Sequence, residues 1–255
     1  MRAIGTMLLC LAAGCVAWAT NSPALQEFRQ SFALSRCGSV VIDNPYGDVR
    51  ISAWDRDEVR IEATKSASDA RRLQEARIVV ASTSDTLSIR TQYVGGDAAD
   101  PASVEYRITV PRTANLDGIK VVNGELSLDG LAGSVKASSI NGSIRAEKLE
   151  GMTQLSTVNG HVEAEFHRLS PTKPISLRSV NGPIVLSIPN DSGAQLVANN
   201  MSGGIQNDFG QRAEAGGHRF RAVLKGGGAQ IELQNVNGGI SIHSTWSRRR
   251  QRSEL

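Results

Sequence analysis

Three observations predict an all-β fold for this chain: a single-stranded parallel β-helix (β-solenoid) with an irregular β cap on its N-terminal side. An Asn-Gly pair recurs in one fixed setting, apolar residues fall in register around each copy, and only one short stretch reads as helix. The pairs are Asn123-Gly124, Asn141-Gly142, Asn159-Gly160, Asn181-Gly182 and Asn237-Gly238, and Met201-Ser202-Gly203 fills the slot once with Ser. A unit of this size cannot bury its apolar face alone and must stack on its neighbours.

Counting from each Asn (or Ser202), six positions back stand Val135, Thr153, Ile175, Leu196 and Ile231. Four back stand Ile119, Ala137, Leu155, Leu177, Ala198 and Leu233, and one back stand Val122, Ile140, Val158, Val180, Met201 and Val236. Three forward stand Leu126, Ile144, Val162, Ile184, Ile205 and Ile240, and five forward stand Leu128, Ala146, Ala164, Leu186 and Ile242. Alternation on both sides of the pair reads as strand, turn, strand. Asn and Gly reach positive φ at little cost, which marks a tight corner. A two-residue hairpin would use the same pair. The apolar positions four back and one back are three apart, however, so the alternation breaks before the Asn and a solenoid corner fits better. Stacked corners would place the Asn side chains roughly 4.8 Å apart, close enough to bond to one another. Gly142→Val is then expected to cost roughly 1–3 kcal/mol through its corner backbone.

The elements can be taken in chain order. Residues 1–19 read as a cleaved signal peptide: Arg2, an apolar run through Leu8, Leu9 and Leu11, and a small-x-small site at Ala17-Trp18-Ala19. Leu11-Ala12-Ala13-Gly14-Cys15 is the alternative, a lipobox that would lipidate Cys15 and leave a tether from Val16 to about Gln30. Cys37 is then the one cysteine certain to remain, so no internal disulfide is expected, and a small buried residue is the favoured reading of it. The segment Val40–Ile51 is a degenerate copy with Gly47 in the turn slot, and Pro45-Tyr46 there suits an end rung that need not pair on both sides. Asp55, Asp57 and Glu58 make a polar turn rather than a metal site. Strands are expected at 59–63, 78–81, 87–91 and 104–110, with a helix over 68–77 capped by Ser68 or Asp69. Residues 20–246 thus read as one domain: capping strands and first rung over 24–115, repeat rungs over 116–246. The insertion at 207–228 is expected to protrude on the binding face.

Residues 247–255 form a tail of four Arg and one Glu. The whole chain stands at +3, the tail at +3 and the leader holds one Arg, so the body comes to −1 and the basic pI belongs to the tail.

The leader, the segment Asn44 to Asp55 (N-x-x-G-D-V-x-I-x-x-W-D) and the ladder of V-N-G-x-[IV] units resemble the bacterial DUF4097 family, from about Cys37 to Trp246. The resemblance implies candidate adhesins with β-strand repeats, built as right-handed parallel β-helices, and it supplies no catalytic motif.

No nucleophile elbow, phosphate loop, zincin motif or paired-cysteine spacing is present. His161, His167, His218 and His243 do not cluster in sequence. One column stands out: six positions after the turn Asn come Asp129, Glu147 and Glu165, then Ser187, Asp208 and His243. Stacked carboxylates roughly 5 Å apart could raise each other's pKa and serve a polysaccharide lyase or glycoside hydrolase. The alternative, which is favoured, is a solvated corner column relieved by Lys136, Arg145 and Lys148. The expectation is therefore a non-enzymatic exported protein, periplasmic or secreted, offering a β surface to an envelope protein or polysaccharide, with no cofactor, metal or nucleic acid. An accessory role in envelope-stress signalling belongs to the same class. Membrane attachment, as an outer-membrane lipoprotein, follows only if Cys15 is lipidated.

Overall fold

Val, Ile, Leu and Ala at every second position, interrupted by Gly corners, favour short extended strands over helix. The computed structural model describes residues 24–94, 100–210 and 217–245; the expected signal peptide and Cys15, together with Trp246 and residues 247–255, lie outside them. The first third holds β1 (Ala24–Ala33), β2 (Ser39–Tyr46), β3 (Val49–Trp54), β4 (Glu58–Ala67), α1 (Ala70–Glu75), β5 (Ala76–Ser82), β6 (Thr86–Tyr93) and β7 (Ser103–Pro111). Then come β8 (Asn115–Asn123), β9 (Leu126–Asp129), β10 (Val135–Asn141), β11 (Ile144–Leu149), β12 (Thr153–Asn159), β13 (Val162–Phe166), β14 (Ile175–Asn181) and β15 (Ile184–Pro189). The chain closes with β16 (Ala194–Ser202), β17 (Ile205–Asn207), β18 (Arg219–Leu224), β19 (Ala229–Asn237) and β20 (Ile240–Thr245).

These strands make two ten-stranded sheets, both mixed and neither closed into a barrel. Sheet A runs β1-β4-β7-β3-β9-β11-β13-β15-β20-β17 and sheet B runs β18-β16-β19-β14-β12-β10-β8-β2-β6-β5. From β8 to β17 successive strands alternate between the sheets, so each Asn-Gly pair carries the chain from sheet B across to sheet A. The flanking strands are not hairpin partners. Each pairs instead with its equivalent in the next unit, parallel and in register, as in Asn141↔Asn159 and Ile144↔Val162. Residues six back, four back and five forward of the corner, Asn207 apart, fill the interior between the sheets.

Three expectations about the repeat are corrected. The residues one back from the Asn face solvent: Ile140, Val158 and Val180 are exposed, and Met201 is 76% exposed. The alternation does not break. Its inward residue is the one two back, which is polar in most copies (Ser139, Thr157, Ser179, Asn200, Asn235) and buried. Except at Ser139, the buried hydroxyl or amide there bonds to a corner carbonyl. Thr157 Oγ1 donates to Gly142 O at 2.9 Å, Ser179 Oγ to Gly160 O at 3.1 Å, and Asn200 Nδ2 to Gly238 O at 2.7 Å.

The stacking order also departs from chain order. The last unit, β19 and β20, lies between β14–β15 and β16–β17. The terminal rung is therefore the Ser202 copy, whose second strand has three residues. Ser in place of Asn and an exposed Met201 suit a rung with nothing beyond it in sheet A. At the other end, the Val40–Ile51 copy is not an end rung, because β2 pairs with both β6 and β8, and β3 with both β7 and β9. The cap is accordingly more regular than expected, with β6 and β7 forming one more parallel rung. Only β1, β4 and β5 are antiparallel there, and β18 is antiparallel at the far end. Antiparallel strands at the ends cover edges that would otherwise pair with another chain.

A buried network ties the cap to the first corner. Thr91 Oγ1 donates to Asn44 Oδ1 and sits 2.8 Å from Tyr106 Oη, while Asn44 Nδ2 reaches Gly47 O and Val104 O, both at 2.9 Å. The helix is shorter than its sequence suggests, with Asp69 as its cap, accepting from Arg72 N. Cys37 is exposed rather than buried, because Gly38 takes the inward place against Leu34. Residues from Ala24 onward cannot serve as a free tether, since they pair with β4.

Candidate functional site

The corner Asn residues form a continuous column on the surface. Asn141 Nδ2 donates to Asn123 Oδ1 at 2.9 Å, Asn159 to Asn141 at 2.8 Å, Asn181 to Asn159 at 2.9 Å, and Asn237 to Asn181 at 3.0 Å. All donors point the same way along the stack, so the ladder is polar. Beside it runs the aliphatic ridge of the residues one back: Val122, Ile140, Val158, Val180, Val236 and Met201, in stacking order.

Inward from this ridge, the outer face of sheet B carries a furrow that crosses the strands. Its floor is small, with Gly118, Ser138, Ser156 and Ser176, and its sides carry Lys120, Lys136, Gln154 and Arg178 over about 220 Å³. Arg178 also opens a second, larger hollow of about 740 Å³ that reaches Met201, His218 and Arg219. One register column runs the whole way: Lys120, Ser138, Ser156, Arg178, Gln234, Asn199, Arg219. Three strand steps separate Lys120 from Arg178, and three more separate Arg178 from Arg219, about 14 Å each at sheet spacing. No acid lines either hollow. Among the described residues, Lys120, Lys136 and Arg219 have no ion-pair partner, and Arg178 reaches only Glu232, at 4.0 Å. His218 and Arg219 belong to the 207–228 insertion, which thus walls one end of the furrow; residues 211–216 lie outside the described set.

The opposite face is different in kind. The outer side of sheet A carries the predicted carboxylates Asp129, Glu147 and Glu165. Asp129 and Glu147 are directly paired in register. The register then shifts between Ala146 and Leu149, where Lys148 takes a φ of 53°, so Glu165, which pairs with Ser187 on its other side, has no register partner on β11. The three acids therefore do not form an even column. Lys148 Nζ bonds to Asp129 Oδ1 at 2.9 Å, and that carboxylate raises the Lys148 pKa. Arg145 bridges Glu163 at 3.0 Å and Glu147 at 3.8 Å. A hollow of about 330 Å³ beside Asp129 and Glu147 is lined by Arg50, Arg107 and Arg145, with no aromatic side chain. Trp54 is engaged by Arg56 and Arg60, about 5 Å from its ring. On this face acids and cations stand side by side, and several are paired.

The histidines stay apart. His161 Nδ1 sits 2.8 Å from Ser143 Oγ, and His243 Nδ1 sits 3.2 Å from Asp208 Oδ2, whose pKa is lowered first by the Ser244 amide and then by His243. Asp57 pairs with Arg36 and Glu58 with Arg56. Among the described residues no three His, Cys, Asp or Glu groups gather as a metal site.

The family model described as Toastrack DUF4097 matches residues 113–243. This chain belongs to that family. The match covers the repeat from just before β8 to β20, the part that carries the Asn ladder and the furrow. Among solved structures, the Toastrack chain is similar to a candidate cell-adhesion protein from Clostridium sporogenes, at 12% identity and a TM-score of 0.50, over 86% of this chain and 100% of that one. It also matches a candidate adhesin from Bacteroides fragilis at 10% identity and a TM-score of 0.40, over 86% and 97% of the two chains. At 12% identity the Clostridium likeness speaks to fold alone. No curated protein matches the sequence. The furrow was missed by sequence reasoning because Lys120, Arg178 and Arg219 are far apart in the chain. The available signal was the position three back from the corner, which is polar in every copy.

Proposed function

We propose that this protein is a non-enzymatic binding protein of the cell envelope, exported and adhesin-like, that offers the outer face of sheet B to an elongated partner. The observation that carries the reading is the contrast between the faces. Sheet A sets acids among its cations and pairs several of them, whereas sheet B exposes an aliphatic ridge beside a furrow lined by cations and no acid. A ridge-and-furrow repeated along a stack suits a partner that is itself long. The Clostridium and Bacteroides proteins are named for adhesion too.

The same reading takes the two sheets as faces of a parallel β-solenoid. Each strand of sheet A reaches the next through a strand of sheet B, and such crossovers between parallel strands are right-handed in about 98% of cases. Export follows from the leader, with processing after Ala19 giving a soluble periplasmic or secreted protein and lipid on Cys15 giving a membrane-held one. Among the described residues no helix is long and apolar enough to cross a membrane. The partner is an envelope protein or polysaccharide, with no cofactor.

Immobilised full chain, incubated with envelope fractions, is expected to retain a component that a Val158→Asp, Val180→Asp variant does not. A Glu163→Gln change on sheet A should leave capture unaltered. Equal capture by all three, or new reducing ends released from a glycan, would count against this function.

A further inference from the structure

We propose that the sheet B furrow binds a linear polyuronate, an unbranched polysaccharide with a carboxylate on each sugar. This deepens the reading of sheet B as the binding face and rests on it.

Four features of the furrow select that chemistry. The cations Lys120, Lys136, Arg178 and Arg219 line it with no acid among the lining residues, and three of the four lack any ion pair among the described residues. Arg178 reaches Glu232 only at 4.0 Å, so all four cations are open to an anion brought from outside. The cations are strung along the stack rather than gathered at a point, so the anion is a polymer and not a small ion. Adjacent strands advance by about 4.8 Å, comparable with the rise of one pyranose unit in an extended chain. Carboxylates on successive sugars can then meet Lys or Arg at some strands, and ring hydroxyls can meet Ser138, Ser156, Gln234 or Asn199 at the others. Charge-assisted bonds of this kind from Arg are planar and bidentate.

The ridge supplies the second half of the match. Val158, Val180 and Met201 stand exposed along one side of the furrow. The C–H face of a pyranose ring can lie against them while its carboxylate turns to the cations. A polyphosphate has no such face. A single-stranded nucleic acid needs a run of aromatic platforms for its bases, and neither hollow contains a Phe, Tyr or Trp, with His218 the one ring among the lining residues. A flat anionic lipid surface could meet the exposed Lys136 and Arg178 but not the furrow floor of Ser138, Ser156 and Ser176, which a single chain can reach.

The test uses the full chain in affinity electrophoresis and calorimetry with three probes: polygalacturonate, its methyl ester, and anionic phospholipid vesicles. Polygalacturonate is expected to bind, with an affinity that falls as salt rises. The methyl ester, with the same backbone and no charge, should bind at least tenfold more weakly. Lys136→Gln and Arg178→Gln should each weaken polygalacturonate binding about two- to fivefold, as solvated ion pairs do, and the double variant should lose more than either. Arg50→Gln on sheet A serves as the control and should change nothing. Melting temperatures of the variants are expected to match the parent, because all three side chains are exposed or nearly so. Binding that ignores Lys136 and Arg178 would place the anion elsewhere on the chain and overturn the proposal. So would equal binding of the ester, or binding of vesicles alone. In each of these cases capture of an envelope component that depends on Val158 and Val180 would leave the broader reading standing. Loss of both would remove it as well.

Discussion

Gly142→Ala tests the corner packing directly. Gly142 lies outside the left-handed region of backbone space, so its need for glycine is not a matter of φ. A Cβ there would stand 1.9 Å from Gly124 O and 2.7 Å from Gly124 C, both backbone atoms of the rung below. Carbon–oxygen contacts sit at about 3.3 Å, so the two corners must part by about 1.4 Å. That movement disturbs two bonds between rungs, Gly124 N–H to Asn141 O at 3.1 Å and Gly142 N–H to Asn159 O at 2.9 Å. Each is worth about 1 kcal/mol net. Overpacking a close-fitted site adds about 1–3 kcal/mol. The expected loss is thus about 4 kcal/mol, above the roughly 1–3 kcal/mol that corner strain alone would give. At about 2–4 °C per kcal/mol for a chain of this size, the melting midpoint should fall by about 10 °C. The assay is thermal or urea unfolding followed by far-ultraviolet circular dichroism. Gly204→Ala is the matched control, since a Cβ at Gly204 meets nothing within 4 Å and its φ is ordinary. If the two variants melt together, the close approach of corners is not what requires glycine.

Further outcomes follow from the same geometry. Ser202→Asn should stabilise by about 0.5 kcal/mol, because the ladder ends at Asn237 with its Oδ1 unclaimed and a sixth amide can donate to it; chemical unfolding would read the gain. Thr157→Val should cost about 1 kcal/mol through its lost bond to Gly142 O, whereas Ser139→Ala should cost little, since Ser139 Oγ is buried without a partner. Deleting 229–255 should unfold far more than a terminal truncation, because β19 and β20 lie inside the stack; loss of hydrogen-exchange protection from β14 to β17 would show it. Burial pushes Tyr106 up to about 12 and raises Tyr93 as well, above the ordinary tyrosine value of about 10. The folded state then holds protons the unfolded chain releases, so this stability is complete below pH 10 and is lost as pH rises toward 12. Tyrosinate absorbance against pH, with Tyr106→Phe for comparison, would test the sign.

The sequence alone determined the strand content, the corner positions and most of the core. The reason is local: a side chain four back or five forward of an Asn-Gly corner must point inward whichever rung lies beside it. The Asn ladder was legible for the same reason, since equal units stacked in register bring equal residues together. The inward polar residue two back was misread because its burial depends on a carbonyl of the neighbouring rung, which pattern counting does not see. Tertiary structure alone decided the order of the rungs. Every corner sequence is compatible with either neighbour, and only pairing energies along whole strands place β19 and β20 inside the Ser202 rung. It decided the furrow too. Lys120, Arg178 and Arg219 share a column because of that order, while Asp129 and Glu147 fall beside Lys148 and Arg145. A chain whose body is close to neutral thereby gains one face where acids and cations stand together and one face with a furrow lined by cations and no acid, a separation that depends on which strands become neighbours and not on composition.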